Sequence, residues 1–266
     1  MNVITKLWEL TLIAKLQQHL NDNDILHPHQ RAFQPHRQTA ENLIDLFYWI
    51  NIAKQKEESY RRNKTPVSMR QRMFCLMNDY KTAFDRVNRT ILLKKLDDMG
   101  MPRQMIKMVK NLFINSKINI DGQEINTYSS VAQGGCSSPI LWLCYVNDIV
   151  IELNEATAIM DPNTGLPKKR GKHTIGSSYF FADDLVCFCR DHAQLDRVIE
   201  ILKKWSLKNE IQINFDKSAI LVIRKDKRTR KYWLDEYKGY PIKTECKYLG
   251  IRIDDSLQLD IERNIK

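Results

Sequence analysis

Residues 177–191 of the chain read SSYFFADDLVCFCRD. Two adjacent aspartates, Asp183 and Asp184, separate two apolar, aromatic-rich runs that have the character of buried strands. Adjacent carboxylates repel each other, and an unpaired buried carboxylate is costly. Two interpretations follow: a solvated turn between strands, or a carboxylate pair that binds a divalent cation.

A third carboxylate elsewhere in the sequence favours the cation-binding interpretation. Residues 73–79 read MFCLMND and predict a short apolar strand that ends at Asp79. If this strand and the 177–191 hairpin are neighbours in one sheet, three carboxylates meet at one edge. Two Mg²⁺ ions, about 4 Å apart, would neutralise that cluster and serve in-line phosphoryl transfer, with Mn²⁺ as an alternative ion. Asp85 is interpreted as a capping or supporting residue.

The composition narrows the class of protein. The 266 residues are enough for one large domain or two small ones, and 43% of them are hydrophobic. Lys and Arg number 42 against 32 Asp and Glu, a formal net charge of +10. This excess fits a polyanionic partner, nucleic acid before membrane surface, and it also fits an ordinary soluble basic protein.

The six cysteines form no C-x-x-C pair and have no nearby histidine partners. Zinc and a disulfide framework are therefore not expected, and the pattern is typical of a reduced, intracellular protein. Lys6 and Glu9 interrupt the apolar N-terminal segment, which excludes a signal peptide. The longest apolar run, residues 140–146, is too short to span a bilayer, so no membrane partner is expected.

Helices and strands alternate without a regular βαβ rhythm, so the predicted class is α+β. Polar composition predicts two exposed insertions, one basic at residues 54–72 and one flexible at 156–176. Helices are expected at 3–13, 43–53, 88–96, 102–113, 138–153 and 191–205, and strands at 73–79, in two runs within 177–191, at 118–126 (a hairpin), 218–223, 240–242 and 247–251.

Six segments resemble, in order, the motifs of reverse transcriptases, most closely those of non-LTR retrotransposons of the long interspersed type. Each motif alone is weak, but the ordered set covers nearly the whole chain. The segments are the fingers-like residues 2–43, NDYKTAFDRVNR (78–89), VAQGGCSSPILWLCYVNDI (131–149), FADD (181–184), EIQINFDKS (210–218) and KYLGIRID (247–254).

The resemblance implies a right-hand polymerase fold with an antiparallel palm sheet, packed helices, partial fingers and no thumb. Residues 1–72 would be partial fingers with the basic insertion. Residues 73–237 would be the palm, with fingers-type insertion elements and the flexible loop 156–176. Residues 238–266 would hold the primer-grip strands and the start of a thumb connection.

The resemblance also implies site residues. Asp79, Asp183 and Asp184 would bind two Mg²⁺ ions, with the Tyr80 backbone facing the metal site, and Lys217 would protonate or shield the pyrophosphate. Phe84 would be an aromatic gate that excludes a ribose 2′-hydroxyl. The remaining implied contacts are Gln133, Gly134 and Arg37 for the nucleotide and Tyr248, Leu249 and Gly250 for the primer.

Two departures qualify the resemblance: Gln34 replaces an arginine of the fingers loop, and Ala132 replaces a proline. The expected partners are an RNA template, a DNA primer and deoxynucleoside triphosphates, in the nucleus with a cytoplasmic ribonucleoprotein stage. The chain is expected to be a fragment of a longer element protein. Two alternatives stay open: a catalytically inactive nucleic-acid-binding remnant, and a group II intron or retron-type reverse transcriptase.

Overall fold

The computed structural model describes residues 3–66, 69–114, 117–120, 123–126, 131, 135–223 and 235–254. Its helices are α1 (Val3–Asp22), α2 (Thr39–Arg62), α3 (Arg89–Asp98), α4 (Arg103–Leu112), α5 (Ser138–Ala156) and α6 (His192–Lys208). Its strands are β1 (Met73–Asn78), β2 (Lys117–Ile120), β3 (Gln123–Asn126), β4 (Lys169–Arg170), β5 (His173–Thr174), β6 (Ser178–Phe181), β7 (Asp184–Cys189), β8 (Ala219–Ile223), β9 (Glu236–Tyr237), β10 (Tyr240–Lys243), β11 (Glu245–Tyr248) and β12 (Ile251–Asp254). In the part of the chain so described, no helix combines the length and apolar character needed to cross a membrane.

One six-stranded sheet organises the molecule, in the order β6-β7-β1-β8-β10-β9. Strand β1 pairs antiparallel with both β7 and β8, whereas β10 pairs parallel with β8. The sheet is therefore mixed but rich in antiparallel pairs, which confirms the mixed helix and strand class.

Strand β1 is apolar along its length because both faces of the sheet are covered. Successive side chains of a strand point to opposite faces. Phe74 and Leu76 join the larger core cluster with α5 and α6, whereas Cys75 and Met77 join a second cluster with α2 and the β11–β12 hairpin. A strand buried on both sides cannot show polar alternation, and this explains its continuous apolar sequence.

Local capping sets the helix ends that the sequence predicts. The Asn88 side chain accepts hydrogen bonds from the backbone N–H groups of Thr90 and Ile91 at the start of α3. Gly100, just after that helix, has a φ of 74°, a value that glycine adopts without a steric penalty. Asp191 accepts from the Gln194 N–H at the start of α6. These predicted boundaries are confirmed.

Three expectations are corrected. Residues 54–62 continue α2 instead of beginning an insertion, because Lys, Gln, Glu and Arg are good helix formers despite their polarity. Residues 156–176, which the sequence predicts as a flexible insertion, are more ordered than expected, since they contain β4 and β5 and bury His173. Residues 247–251 are not one strand: β11 and β12 form a hairpin that turns at Leu249 and Gly250, whose φ angles of 46° and 88° suit a tight two-residue turn.

A buried histidine cluster fastens the segment between α1 and α2 to the rest of the fold. His27 Nε2 is 3.0 Å from the Thr174 carbonyl oxygen, and His27 Nδ1 accepts the His29 N–H at 3.1 Å. His29 Nδ1 donates to Asn154 Oδ1 at 2.9 Å. Burial, as the largest cause, lowers the pKa of His27 to about 3 and that of His29 to about 4. Both rings are therefore neutral in the folded protein at pH 7.

Acid should destabilise the fold through these two histidines. In the unfolded chain they bind protons below about pH 6.5, whereas in the folded chain they resist protonation. The free energy of unfolding should therefore be fully retained above that pH and fall toward pH 4, by about 1.4 kcal/mol per pH unit for each histidine. Urea unfolding between pH 4 and 8 measures this slope.

The variant His27→Gln should lose about half of the slope that the two histidines contribute. The same replacement at the exposed His36 should leave the slope unchanged. Equal slopes in the wild-type chain and in His27→Gln would contradict the assignment.

Candidate active site

The β6–β7 hairpin presents the paired aspartates. Phe181 pairs with Asp184, so the turn consists of Ala182 and Asp183. Asp183 therefore lies in the turn, whereas Asp184 is the first residue of β7. Ala182 has a φ of 58°, which costs free energy for any residue with a Cβ atom. Its carbonyl oxygen accepts hydrogen bonds from Gln30 Nε2 at 3.2 Å and from Trp142 Nε1 at 3.1 Å.

Asp79 follows the last residue of β1, beside this hairpin. The register pairs Asn78 with Leu185, and one further step sets Asp79 opposite Asp184. The predicted proximity of the two strands is confirmed. Asn214 fixes the residue twice: its Nδ2 donates to Asp79 Oδ2 at 2.8 Å, and its N–H donates to the Asp79 carbonyl at 2.8 Å. The Asp79 N–H donates to Ser218 Oγ at 3.1 Å.

The aspartates are coupled electrostatically. Desolvation is the largest cause that raises the pKa of Asp184, to about 6, and repulsion from Asp183 and then Asp79 adds to it. The pKa of Asp183 is raised by desolvation first, and by repulsion from Asp79. Lys217 lies close enough to lower the pKa of both side chains. The sequence motif that contains Lys217 therefore does reach the acidic hairpin.

This donor set suits a hard divalent cation. Carboxylate oxygens are the ligands that Mg²⁺ prefers, and Mg²⁺ takes its remaining ligands from water and phosphate. A bound cation would also relieve the repulsion that raises the two pKa values. Among the described residues, no three His, Cys, Asp or Glu side chains are already arranged as a metal-binding group. The carboxylate chemistry of the three aspartates is of the kind that such a cation requires.

Phe84 is half-buried among the aromatic residues near the site. Phe84 packs on Trp142, with ring centroids 5.3 Å apart, and the exposed Phe33 approaches it edge-on at 6.5 Å. The Phe84 ring is thus packed against Trp142 and remains partly accessible to solvent. Tyr80 points its ring into the core near Trp205, and its hydroxyl is buried without a hydrogen-bond partner.

The remaining predicted residues have mixed surroundings. Arg37 Nη1 is bonded to Glu41 Oε2 at 2.7 Å and lines a cavity of about 320 Å³ with Gln34. The Tyr248 side chain is buried and accepts a hydrogen bond from Asn42 at 2.9 Å, so it anchors its hairpin to α2. In the turn that follows, Leu249 is half-buried against the same core cluster and Gly250 is exposed. Gln133 and Gly134 lie outside the described residues.

Sequence reasoning missed three residues that position the site: Asn214, Ser218 and Gln30. The first two belong to the EIQINFDKS segment, in which only Lys217 received a role, and their spacing around it was the available signal. Gln30 has no comparable signal, because it is 152 positions from the turn that it contacts.

The fold resembles solved telomerase structures. The apo telomerase of Candida tropicalis, truncated from its C-terminal domain, matches with a TM-score of 0.58 and 13% identity, over 95% of this chain and 44% of that chain. The Candida albicans telomerase in complex with a fragment of telomeric RNA matches with a TM-score of 0.52 and 12% identity, over 94% of this chain and 36% of that one. At such low identity the likeness concerns the fold alone.

The sequence identifies the family. Residues 1–253 match the family described as reverse transcriptase (RNA-dependent DNA polymerase), so the chain belongs to that family. A curated relative is the retrovirus-related Pol polyprotein from type-1 retrotransposable element R2 of Nasonia vitripennis, 22% identical over 265 residues. The match covers 94% of this chain and 24% of that protein. The predicted resemblance to non-LTR retrotransposon reverse transcriptases is confirmed.

The titration of Asp184 tests the electrostatics of the site. In metal-free buffer, carboxyl NMR should give Asp184 a pKa of about 6. Lys217→Met should raise that pKa because an attractive charge is lost, and Asp183→Asn should lower it toward the ordinary value of about 4 because a repulsive charge is lost.

Lys107→Met, an exposed lysine of α4, is the matched control and should change nothing. An Asp184 pKa that ignores both Lys217 and Asp183 would show that the three groups do not interact.

Proposed function

We propose that this chain is the core of an RNA-directed DNA polymerase that adds deoxynucleotides to a primer 3′-hydroxyl. The observation that carries the proposal is the placement of Asp79 opposite Asp184, where β1 ends and β7 begins, with Asp183 beside them. Lys217 is close enough to act on these carboxylates electrostatically. Membership of the reverse transcriptase family supports it. On this proposal residues 1–72 are partial fingers, 73–237 the palm, and 238–266 the primer-grip strands and the start of a thumb connection.

Each group of the site has a role in the proposed reaction. Asp79, Asp183 and Asp184 would hold two Mg²⁺ ions, with the Tyr80 backbone facing them. The bound ions supply activation of the 3′-hydroxyl and neutralisation of the leaving pyrophosphate. Asn214 keeps the Asp79 carboxylate in place through its hydrogen bond. Lys217 would protonate the pyrophosphate or shield the negative charge that develops on it.

Specificity would come from the residues around the incoming nucleotide. Phe84, supported from behind by Trp142, would block a ribose 2′-hydroxyl. Gln133, Gly134 and Arg37 would contact the nucleotide, once Arg37 releases Glu41, and the turn at Leu249 and Gly250 would hold the primer end, with Tyr248 anchoring it.

The proposed partners are an RNA template, a DNA primer and deoxynucleoside triphosphates. The formal net charge of +10 favours binding of such polyanions. The proposed place of action is the nucleus, with a cytoplasmic ribonucleoprotein stage. A longer element protein would supply further domains, since the chain spans about a quarter of its curated relative.

A second candidate function is nucleic-acid binding without catalysis. It is favoured by the fingers-like segment, where Glu41 engages Arg37 and Gln34 stands in place of the usual arginine. This candidate predicts tight binding of primed template together with no nucleotide addition.

Primer extension decides between the two candidates. With a poly(rA)·oligo(dT) template, dTTP and Mg²⁺, the chain should extend the primer, and Asp183→Asn should reduce the rate at least about a hundredfold because a charge that stabilises the transition state is lost. Asp161→Asn, which keeps a turn-capping side chain, is the matched control and should extend normally. A folded chain that binds the primed template and adds no nucleotide would support the second candidate.

The proposed exclusion of a ribose 2′-hydroxyl by Phe84 leads to a separate prediction. Phe84→Val should relax discrimination against ribonucleotides by about tenfold or more, because a smaller side chain leaves room for the 2′-hydroxyl. Parallel rates with dTTP and UTP measure the ratio. Phe113→Val, a partly buried phenylalanine after α4, should leave the ratio as it is. Loss of both rates together, with the ratio unchanged, would assign Phe84 to packing alone.

A further inference from the structure

The side chain of Gln30 contacts the acidic hairpin at its strained residue. The Ala182 N–H donates to Gln30 Oε1 at 3.3 Å, and Gln30 Nε2 donates to the Ala182 carbonyl at 3.2 Å. Gln30 is fully buried, so water does not compete for these two hydrogen bonds. One primary amide thus satisfies both backbone groups of the residue that precedes Asp183.

The backbone around Gln30 is itself fixed against the hairpin. Phe180 of β6 donates its N–H to the His29 carbonyl at 2.8 Å and accepts from the Arg31 N–H at 3.2 Å. Gln30 Oε1 also accepts the Ala32 N–H at 3.3 Å. The amide therefore reaches the turn from a rigid support instead of a mobile loop.

We propose that Gln30 is a positioning residue that holds Ala182 in its left-handed conformation and so sets the direction of the Asp183 and Asp184 carboxylates. The inference rests on the proposed function. Alanine at a φ of 58° is disfavoured, and such strain persists where surrounding contacts over-determine it. Glycine would adopt the same conformation at no steric cost, yet the chain has alanine there and a double hydrogen bond to hold it.

Glutamine is the residue type that can make both hydrogen bonds to Ala182. The site needs a donor and an acceptor on one side chain of this length. Glutamate would lack the donor and would add a buried negative charge near two aspartates whose pKa values are already raised. Methionine would fill the space and make neither hydrogen bond.

The test combines Gln30→Met with Ala182→Gly. Mn²⁺ binding to the free chain, followed by electron paramagnetic resonance of unbound Mn²⁺, should weaken about tenfold in Gln30→Met, because Ala182 can then leave its left-handed conformation. Ala182→Gly alone should bind nearly as the wild-type chain does. The double variant should recover most of the loss, because glycine needs no support in that conformation. A general packing defect would not be rescued in this way.

Two measurements keep the inference testable if Gln30→Met folds poorly or the free chain binds no Mn²⁺. Ala182→Val leaves Gln30 intact and adds a β-branched side chain at positive φ, so it should lower Mn²⁺ affinity in the same direction. Amide hydrogen exchange of Ala182 needs no metal and should accelerate at least about tenfold in Gln30→Met, whereas the Cys187 amide within β7 should not change.

The outcomes separate this inference from the proposed function. A wild-type chain that neither binds Mn²⁺ nor extends a primer would overturn the polymerase proposal, and the exchange rate of Ala182 would still decide the role of Gln30. A wild-type chain that does both, with unchanged Mn²⁺ affinity and unchanged exchange in Gln30→Met, would overturn the role of Gln30 alone. Failure of Ala182→Gly to rescue a folded Gln30→Met would overturn it as well.

Discussion

Antiparallel pairing between β1 and β7 joins two inner strands of the main sheet. Strand β1 is covered on both faces of the sheet, and its pairing with β7 brings Asp79 and Asp184 to the same end of the two strands, which forms the acidic edge of the sheet. The alternating side chains of β1 tie this edge to two separate core clusters. A shift of register by one residue would turn each β1 side chain to the opposite face and carry Asp79 away from its partner. Packing and site geometry therefore share a single constraint.

Repulsion within the acidic edge is tolerated because neutral groups hold it in place. Asn214 and Ser218 fix Asp79 by hydrogen bonds, and Gln30 and Trp142 do the same for the turn before Asp183. None of these side chains neutralises the aspartates. The raised pKa of Asp184 follows first from its desolvation by burial and then from repulsion by Asp183 and Asp79. The site therefore retains negative charge that can attract a cationic ligand.

The sequence was most informative where a local pattern determines the structure. The apolar run before Asp79, the cap at Asn88 and the hairpin around Asp184 follow from composition and spacing within about ten residues. It was least informative where the structure depends on distant pairing. The polar residues at the end of α2 do not show that the helix continues through them. The turn at Gly250 interrupts a segment that the sequence predicts as one strand. No local signal indicates the contact between Gln30 and Ala182. The buried phenol of Tyr80 likewise follows from packing and not from its position beside an aspartate.

The segment that carries His27, His29 and Gln30 also occupies the outer edge of β6, where Phe180 exchanges backbone hydrogen bonds with it. Strand β6 is the terminal strand of the main sheet, and an uncovered terminal strand is a template for pairing with another chain. The histidines that fasten the segment are neutral because they are buried. Protonation in acid would thus do more than weaken the fold: it would uncover a sheet edge, and the first product of acid unfolding would be prone to edge-to-edge self-association.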